Sequence, residues 1–383
     1  MPSLPVVFSF LCGFSIVLYP FRIVSETHLP LTGLATNSMD IEAGDLDGDG
    51  DLDLVVAMEF RPNVLLFNDG QGIFVNWSNG RIPQKNHDSE DIALADFDRD
   101  GDLDIIFVSE DDHINEYYKN DGKGYFSDIS ETFTLRATSN AVVAGDFDKD
   151  GDLDLVVGNA GQDILLLNDG KGLFKDQTSG RMPADTSVTQ DVEAVDIDND
   201  NDLDLVFGNE DGNRVYVNNG KGVFKDVTAQ RFPAVLQNEE TRKVDVGDVD
   251  GDGDRDLFFS NVAFIAGKNG ANRLFINNGK GVFADETEKR FKARNDLNSA
   301  DACFSDLDGD KDLDLIIANI FGGYQQLLIN NGSGFFTEDK SGLLPVSIPG
   351  EAISLEVFDA NKDGKKDIYF GMFRRSDELL LGR

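Results

Sequence analysis

The sequence predicts an all-β protein, a seven-bladed β-propeller with four antiparallel strands per blade and a ring closed by an N-terminal strand. Three observations predict it. A nine-residue acidic pattern, D-x-D-x-D-G-D-x-D, recurs seven times at intervals of 50 to 58 residues. A β-branched apolar run follows the copies, such as LVVA after Asp53 and LIIA after Asp314. A second motif then closes a further apolar run, reading NDGQGIF from Asn68, NDGKGYF from Asn120 and NNGKGVF from Asn218 and Asn277. Four short antiparallel strands in about 50 residues is the unit of a propeller blade.

Each element follows in chain order. Residues Leu4 to Phe21 are an uncharged apolar run, so residues 1–20 are expected to be a signal peptide or short membrane anchor. That places the protein in a secreted, periplasmic or cell-surface setting. The last repeat stops after its third strand, at LLLGR, and lacks the Phe-led fourth. Phe21 to Pro30, FRIVSETHLP, aligns without gaps on Phe224 to Pro233, FKDVTAQRFP, so the N-terminus is expected to supply that strand. Within a repeat, a short apolar stretch such as IALAD before Asp96 reads as the innermost strand, and the acidic loop as its connection to the second. The β-branched run is that second strand, bounded by turn residues. The Asn-Gly and Asp-Gly turns join the third strand to the Phe-led fourth. Residues 21–383 are thus expected to form one propeller. Period-two patterning excludes an α-solenoid, and the lone Trp77 weighs against blade families that carry a Trp in every repeat.

The acidic loops have the chemistry of a metal site. Side-chain oxygens at positions 1, 3, 5 and 9 converge on one point, the carbonyl at position 7 adds another, and Gly at position 6 permits the turn. Many hard oxygen donors, with no His or Cys, suit Ca²⁺. The expected ligand sets are Asp45, Asp47, Asp49, Asp51 and Asp53; Asp96, Asp98, Asp100, Asp102 and Asp104; and Asp146, Asp148, Asp150, Asp152 and Asp154. They continue with Asp196, Asp198, Asp200, Asp202 and Asp204; Asp248, Asp250, Asp252, Asp254 and Asp256; and Asp306, Asp308, Asp310, Asp312 and Asp314. The last is Asp359, Asn361, Asp363, Lys365 (backbone only) and Asp367. Up to seven Ca²⁺ are expected. The loops from Asp306 and Asp359 are ranked weakest, because Lys311 stands at position 6 in the first and Asn361 at position 3 in the second. The chain has 34 Lys plus Arg against 71 Asp plus Glu, a formal net charge of −37, and 33 of those acids lie in the loops. Such a charge argues against binding nucleic acid or an anionic membrane surface directly.

These loops and turns resemble the FG-GAP/VCBS-type repeat family, which includes the propeller of integrin α chains and secreted lectin-like propellers. The resemblance covers residues 21 to 383. It implies a seven-bladed propeller with Ca²⁺ between the first two strands of each blade; the family's use in adhesion and glycan binding transfers only weakly, since function lives in sites rather than folds.

A ligand is expected on the rim opposite the acidic loops, where the strand 2–3 connections vary most. Tyr117, Tyr118, Phe264, Phe321 and Tyr324 are candidates to stack on a glycan or hold an extracellular protein ligand. The innermost strands carry acids (Asp40, Asp91, Asp191 and Asp301, with Glu42, Glu193, Asp245 and Glu356 two residues on), which alternation aims to one side. Two readings are open: an acidic ring around a central channel, or blade-to-blade salt bridges to the recurrent Arg81, Arg181, Arg231 and Arg290. No catalytic constellation stands out. His28, His87 and His113 are scattered, and Cys303 reads as packing. A binding or adhesion module is therefore favoured over a calcium-dependent enzyme acting on a polysaccharide or lipid, or a structural propeller.

Overall fold

The computed structural model describes residues 21–30, 35–133, 135–233, 238–345 and 348–383. The run expected to be a signal peptide or anchor lies outside the described residues. Seven four-stranded antiparallel blades follow one another along the chain. Their innermost strands are Ser38–Gly44, His87–Ala95, Ser139–Gly145, Thr189–Val195, Glu240–Gly247, Ser299–Ser305 and Ala352–Phe358. Each inner strand packs beside the next, and the seventh beside the first, so the ring is complete. Among the described residues no helix is long and apolar enough to cross a membrane.

The ring closes as the repeat arithmetic requires. Phe21–Ile23 pairs antiparallel with Glu378–Gly382, Phe21 opposite Gly382 and Ile23 opposite Leu380, as the outermost strand of blade 7. The helical turn after it, Ser25–His28, matches Thr228–Arg231 after the outer strand of blade 4, as the alignment of the two segments implies.

Burial explains the sequence patterns. The second strands, such as Asp154–Asn159 and Asp314–Asn319, are buried along their whole length, so they read as unbroken β-branched runs rather than alternating ones. Among the described residues the apolar core divides into seven clusters, one at each blade junction. The outer-strand Phe74, Phe126, Phe224, Phe283, Phe336 and Phe21 are all buried, each contributing about 2 kcal/mol by removal of its ring from water. Positive φ falls on the two glycines of each N-x-G-x-G turn, such as Gly70 (75°) and Gly72 (76°).

The Asn that opens this turn is an inter-blade latch. Asn218 Nδ2 donates to Leu203 O (3.0 Å) in its own blade and to Phe147 O (2.8 Å) in the blade before. Asn68, Asn120, Asn168, Asn277 and Asn330 make the same pair of bonds. These side chains hold carbonyls that no strand ladder reaches, and buried carbonyls need such partners.

Candidate functional site

The seven acidic loops share one backbone conformation. In each, the N–H of position 6 donates to the Oδ2 of position 1 at 2.8–3.1 Å, from Gly50→Asp45 to Gly364→Asp359. Position 6 has positive φ throughout, including Asn201 (65°) and Lys311 (81°). Lys311 therefore holds the same turn as the glycines, at the steric cost of a Cβ in that region. Position 4 also has positive φ in every loop and is occupied by Gly48, Arg99, Lys149, Asn199, Gly251, Gly309 and Lys362.

Position 9 anchors the loop to the blade. Asp53 Oδ1 accepts from Asn68 N (2.8 Å) and its Oδ2 from Leu46 N (3.1 Å), tying the third strand to the loop's start. Burial pushes Asp53, Asp104, Asp154, Asp204 and Asp256 up to about 7, and Asp314 and Asp367 to about 6, although the backbone N–H donors oppose it.

Position 3 is the informative one. One oxygen of Asp198 and of Asp250 is held by an arginine, Arg231 (2.9 Å) and Arg290 (3.1 Å), and Arg81 stands 4.0 Å from Asp47 Oδ2. The other oxygen, Oδ1 of Asp47, Asp148, Asp198 and Asp250, is buried and has no partner. Leaving a buried carboxylate oxygen unpaired is costly. A hard cation in the loop would satisfy it, and one oxygen from each of Asp45, Asp47 and Asp53 lies within 4.8 Å of the others. The sets Asp96/Asp98/Asp100, Asp146/Asp148/Asp154 and Asp196/Asp198/Asp204 meet the same limit. The residues present thus fit an oxygen-bound divalent ion. In the loop from Asp96, Lys119 replaces the arginine, pairing with Asp98 and reaching Asp100 at 3.0 Å.

The side chain at position 7 faces away from this cluster, toward the loop's neighbours. Arg99 pairs with Asp152 at 2.6 Å, Lys149 with Asp202, Asn199 with Asp254 (2.9 Å) and Lys362 with Asp51. Position 4 of one blade thereby holds position 7 of the next at four junctions. Glycine at position 4 leaves the other three without that bond.

The inner-strand acids do surround the axis, and the recurrent arginines do not answer them. Arg81, Arg181 and Arg290 lie at the acidic-loop rim, donating to Lys123 O (2.8 Å), Lys221 O (2.6 Å) and Ser333 O (2.7 Å) of the following blade; Arg231 is there too, on Asp198. The salt-bridge reading of the acids is therefore corrected: they latch adjacent blades through backbone N–H groups. Asp40 accepts from Ile92 N (3.1 Å), Asp91 from Val142 N, Asp191 from Val244 N and Asp301 from Leu355 N (2.7 Å each). Lys243, in the register of these acids on blade 5, is the cation among them, 3.1 Å from Asp191 Oδ1. Burial works against its charge, but Asp191, Asp91, Asp40 and Asp301 outweigh it and raise its pKa. Burial lifts Asp40 and Asp245 to about 7 and Asp301 to about 6.

Above this ring, on the rim opposite the acidic loops, a cavity of about 190 Å³ opens on the axis with residues from all seven inner strands in its wall. Phe264, Phe321 and Phe373 form its aromatic edge, with ring centroids 4.9 Å and 5.4 Å apart. Glu59, Glu90 and Arg242 also line it, Arg242 lying 5.1 Å over Phe264. Phe321 is 58% exposed and, like Phe60, has a positive φ, a strained setting for an aromatic residue. Tyr324 is exposed as expected, but Tyr117 and Tyr118 are core residues and do not belong to this rim. Phe373 and Lys243 are not singled out by the sequence reading; the signal for Lys243 is a base in the repeat position that carries Asp in four other blades, Asp40, Asp91, Asp191 and Asp301.

Comparison with known proteins agrees with this architecture. The chain matches the FG-GAP-like repeat family over residues 45–107, 102–157, 146–207, 196–259, 262–317 and 306–370. Among solved structures it is similar to BBS1N in complex with ARL6DN: the mercury-soaked form is 11% identical over 92% of this chain and 95% of that chain, with a TM-score of 0.58. The lead-soaked form gives 11%, 92%, 94% and 0.56. At that identity the likeness concerns the fold alone. A lectin of Agrocybe aegerita, described as recognising non-reducing terminal N-acetylglucosamine, is 19% identical over 79% of each chain, and its TM-score of 0.48 is too low to carry an argument. No curated protein matches the sequence.

Proposed function

This chain belongs to the FG-GAP-like repeat family, and on that premise we propose that it is a calcium-structured binding module. Its scaffold is one propeller over residues 21–383. Ca²⁺ occupies up to seven loops, held by the carboxylates at positions 1, 3, 5 and 9 and the carbonyl at position 7. The buried, unpartnered Oδ1 of position 3 supports that reading. The ions brace the first two strands of each blade. Recognition occurs at the axial cavity on the opposite rim, for a glycan or an extracellular protein ligand, at the surface of the cell or outside it. Residues 1–20 act as the export signal or anchor.

The observation that carries the reading is the edge formed by Phe264, Phe321 and Phe373. Three rings beside a polar pocket are what stacking on a sugar face, or anchoring one side chain of a partner, requires. The opposed exposure of Phe321 and burial of Tyr117 distinguishes this edge from core packing. The experiment is a glycan and matrix-protein array probed with the full chain in millimolar Ca²⁺, and again in chelator. Calcium-dependent capture of one ligand class, lost in Phe321→Ala, supports the reading. Capture unchanged in that variant removes the cavity as its site.

A further inference from the structure

We propose that blade 2 carries a second kind of divalent-cation site, on the rim opposite the acidic loops, formed by Asp88, Glu110 and Asp111 and suited to Ca²⁺. It lies outside the repeated nine-residue pattern, and it stands whether or not the rim binds a ligand.

Geometry is the first support. Asp88 is on the innermost strand, while Glu110 and Asp111 lie in the turn that leaves the second strand. The turn folds back over the strand: Glu110 N donates to Asp88 O (3.2 Å) and Asp111 N to Asp88 Oδ2 (3.1 Å). One oxygen from each of the three carboxylates lies within 4.8 Å of the others. Glu59 and Glu90 stand nearby as further like charges.

The second support is an unpaired atom. Asp88 is only 2% exposed, and its Oδ1 is buried with no hydrogen-bond partner. That is the same feature that marks Asp47, Asp148, Asp198 and Asp250 in the acidic loops. A buried carboxylate with an unpaired oxygen, clustered with two more carboxylates, calls for a cation.

Blade 4 provides the internal comparison. Glu210 and Asp211 occupy the same turn positions, but there Arg242 stands 3.8 Å from Glu210 and Lys268 pairs with Asp211 at 3.0 Å. Val188, whose carbonyl accepts from Glu210 N, takes the place of Asp88. Blade 4 thus answers its turn acids with protein cations and omits the third acid. Blade 2 adds the third acid, and among the described residues no Lys, Arg or His forms an ion pair with Asp88, Glu110 or Asp111. His87 is engaged elsewhere, with Asp112 (2.6 Å) and Glu116 (3.4 Å).

Oxygen ligands alone select a hard ion, and an irregular three-carboxylate set suits the flexible coordination of Ca²⁺ over the strict octahedron of Mg²⁺. Three protein groups leave several positions of a six- to eight-coordinate ion for water or another oxygen.

The test is a Ca²⁺ count by equilibrium dialysis of the full chain, up to millimolar CaCl₂. Asp111 is exposed and Glu110 half-buried, so Asp111→Asn and Glu110→Gln should leave the fold intact and accompany the buried Asp88→Asn. Each variant should bind one Ca²⁺ fewer than wild type, or bind one at least tenfold more weakly. Asp211→Asn, the blade 4 counterpart, should match wild type. Isotherms of Asp111→Asn and Glu110→Gln that superimpose on wild type overturn the proposal. So does an equal loss in Asp211→Asn, which would make the effect one of general charge.

Discussion

The two rims of the ring are made from the same seven blades and follow different rules. At the acidic-loop rim the blades repeat the same bonds: position 6 to position 1 and position 9 to the third strand in all seven, and the turn Asn to the blade before in blades 1 to 6. At the opposite rim the connections differ in length and composition, and Phe60, Phe264 and Phe321 stand exposed. One side is therefore a device for joining blades, and the other is free to vary. The difference teaches where to look in a repeat protein. Residues that recur hold the ring, and residues that break the repeat, such as Lys243, Asp88 and Phe321, carry what is particular to this chain.

Between the rims lies the axis, where the largest single-residue effect is expected. Lys243→Met removes the cation that Asp40, Asp91, Asp191 and Asp301 share. Leaving those carboxylates unanswered should cost about 3–5 kcal/mol in denaturant unfolding at pH 7. A loss under about 1 kcal/mol would mean that the latching acids do not need it. Next comes the repeated rim. Asn218→Ala removes the donor to Leu203 O and the inter-blade bond to Phe147 O, which keeps only Gly222 N, and should cost about 1–3 kcal/mol, whereas Asn219→Ala, one residue along in the exposed part of the turn, should cost little.

A smaller effect is pH-dependent. Burial first, then Glu356, raises the pKa of Glu42 above its ordinary value. A raised carboxyl pKa means the folded form binds the proton more tightly than the unfolded one, so wild type loses stability as pH rises through this window. Glu42→Gln removes that term. Its stability relative to wild type should increase by about 1 kcal/mol between pH 5 and pH 8 at fixed calcium. A difference independent of pH would place Glu42 in an ordinary solvated setting. Smallest of all is the stability change at the variable rim: Phe321→Ala should alter unfolding by less than about 0.5 kcal/mol while abolishing ligand capture.

Much of this was legible in the sequence because a propeller repeats its signals in register. Seven copies of one loop, a Phe-led strand missing at one end and present at the other, and β-branched runs after each loop determine blades, strand order and closure. What was not legible depends on which blade lies beside which residue. Arg81 and its equivalents recur with the repeat, but only the folded ring shows them at position 3 of the acidic loops instead of at the axis. Tyr117 and Tyr118 sit in a strand whose neighbours bury both faces, so alternation could not assign one of them outward. Position 4 held a signal that was available: Gly, Asn, Lys or Arg in every copy, at a place where the backbone takes positive φ. The Asp88 cluster joins a strand to a turn some twenty residues on, and its significance rests on an atom left without a partner.

The central claim is that the repeated rim is built around ions. The most direct test is thermal unfolding of the full chain in millimolar Ca²⁺ and in excess chelator. At a hundredfold excess over Kd each occupied loop contributes about 2.7 kcal/mol, so several loops together should lower the melting temperature by at least about 10 °C when the ion is removed. A melting temperature that is the same in both conditions would contradict the account.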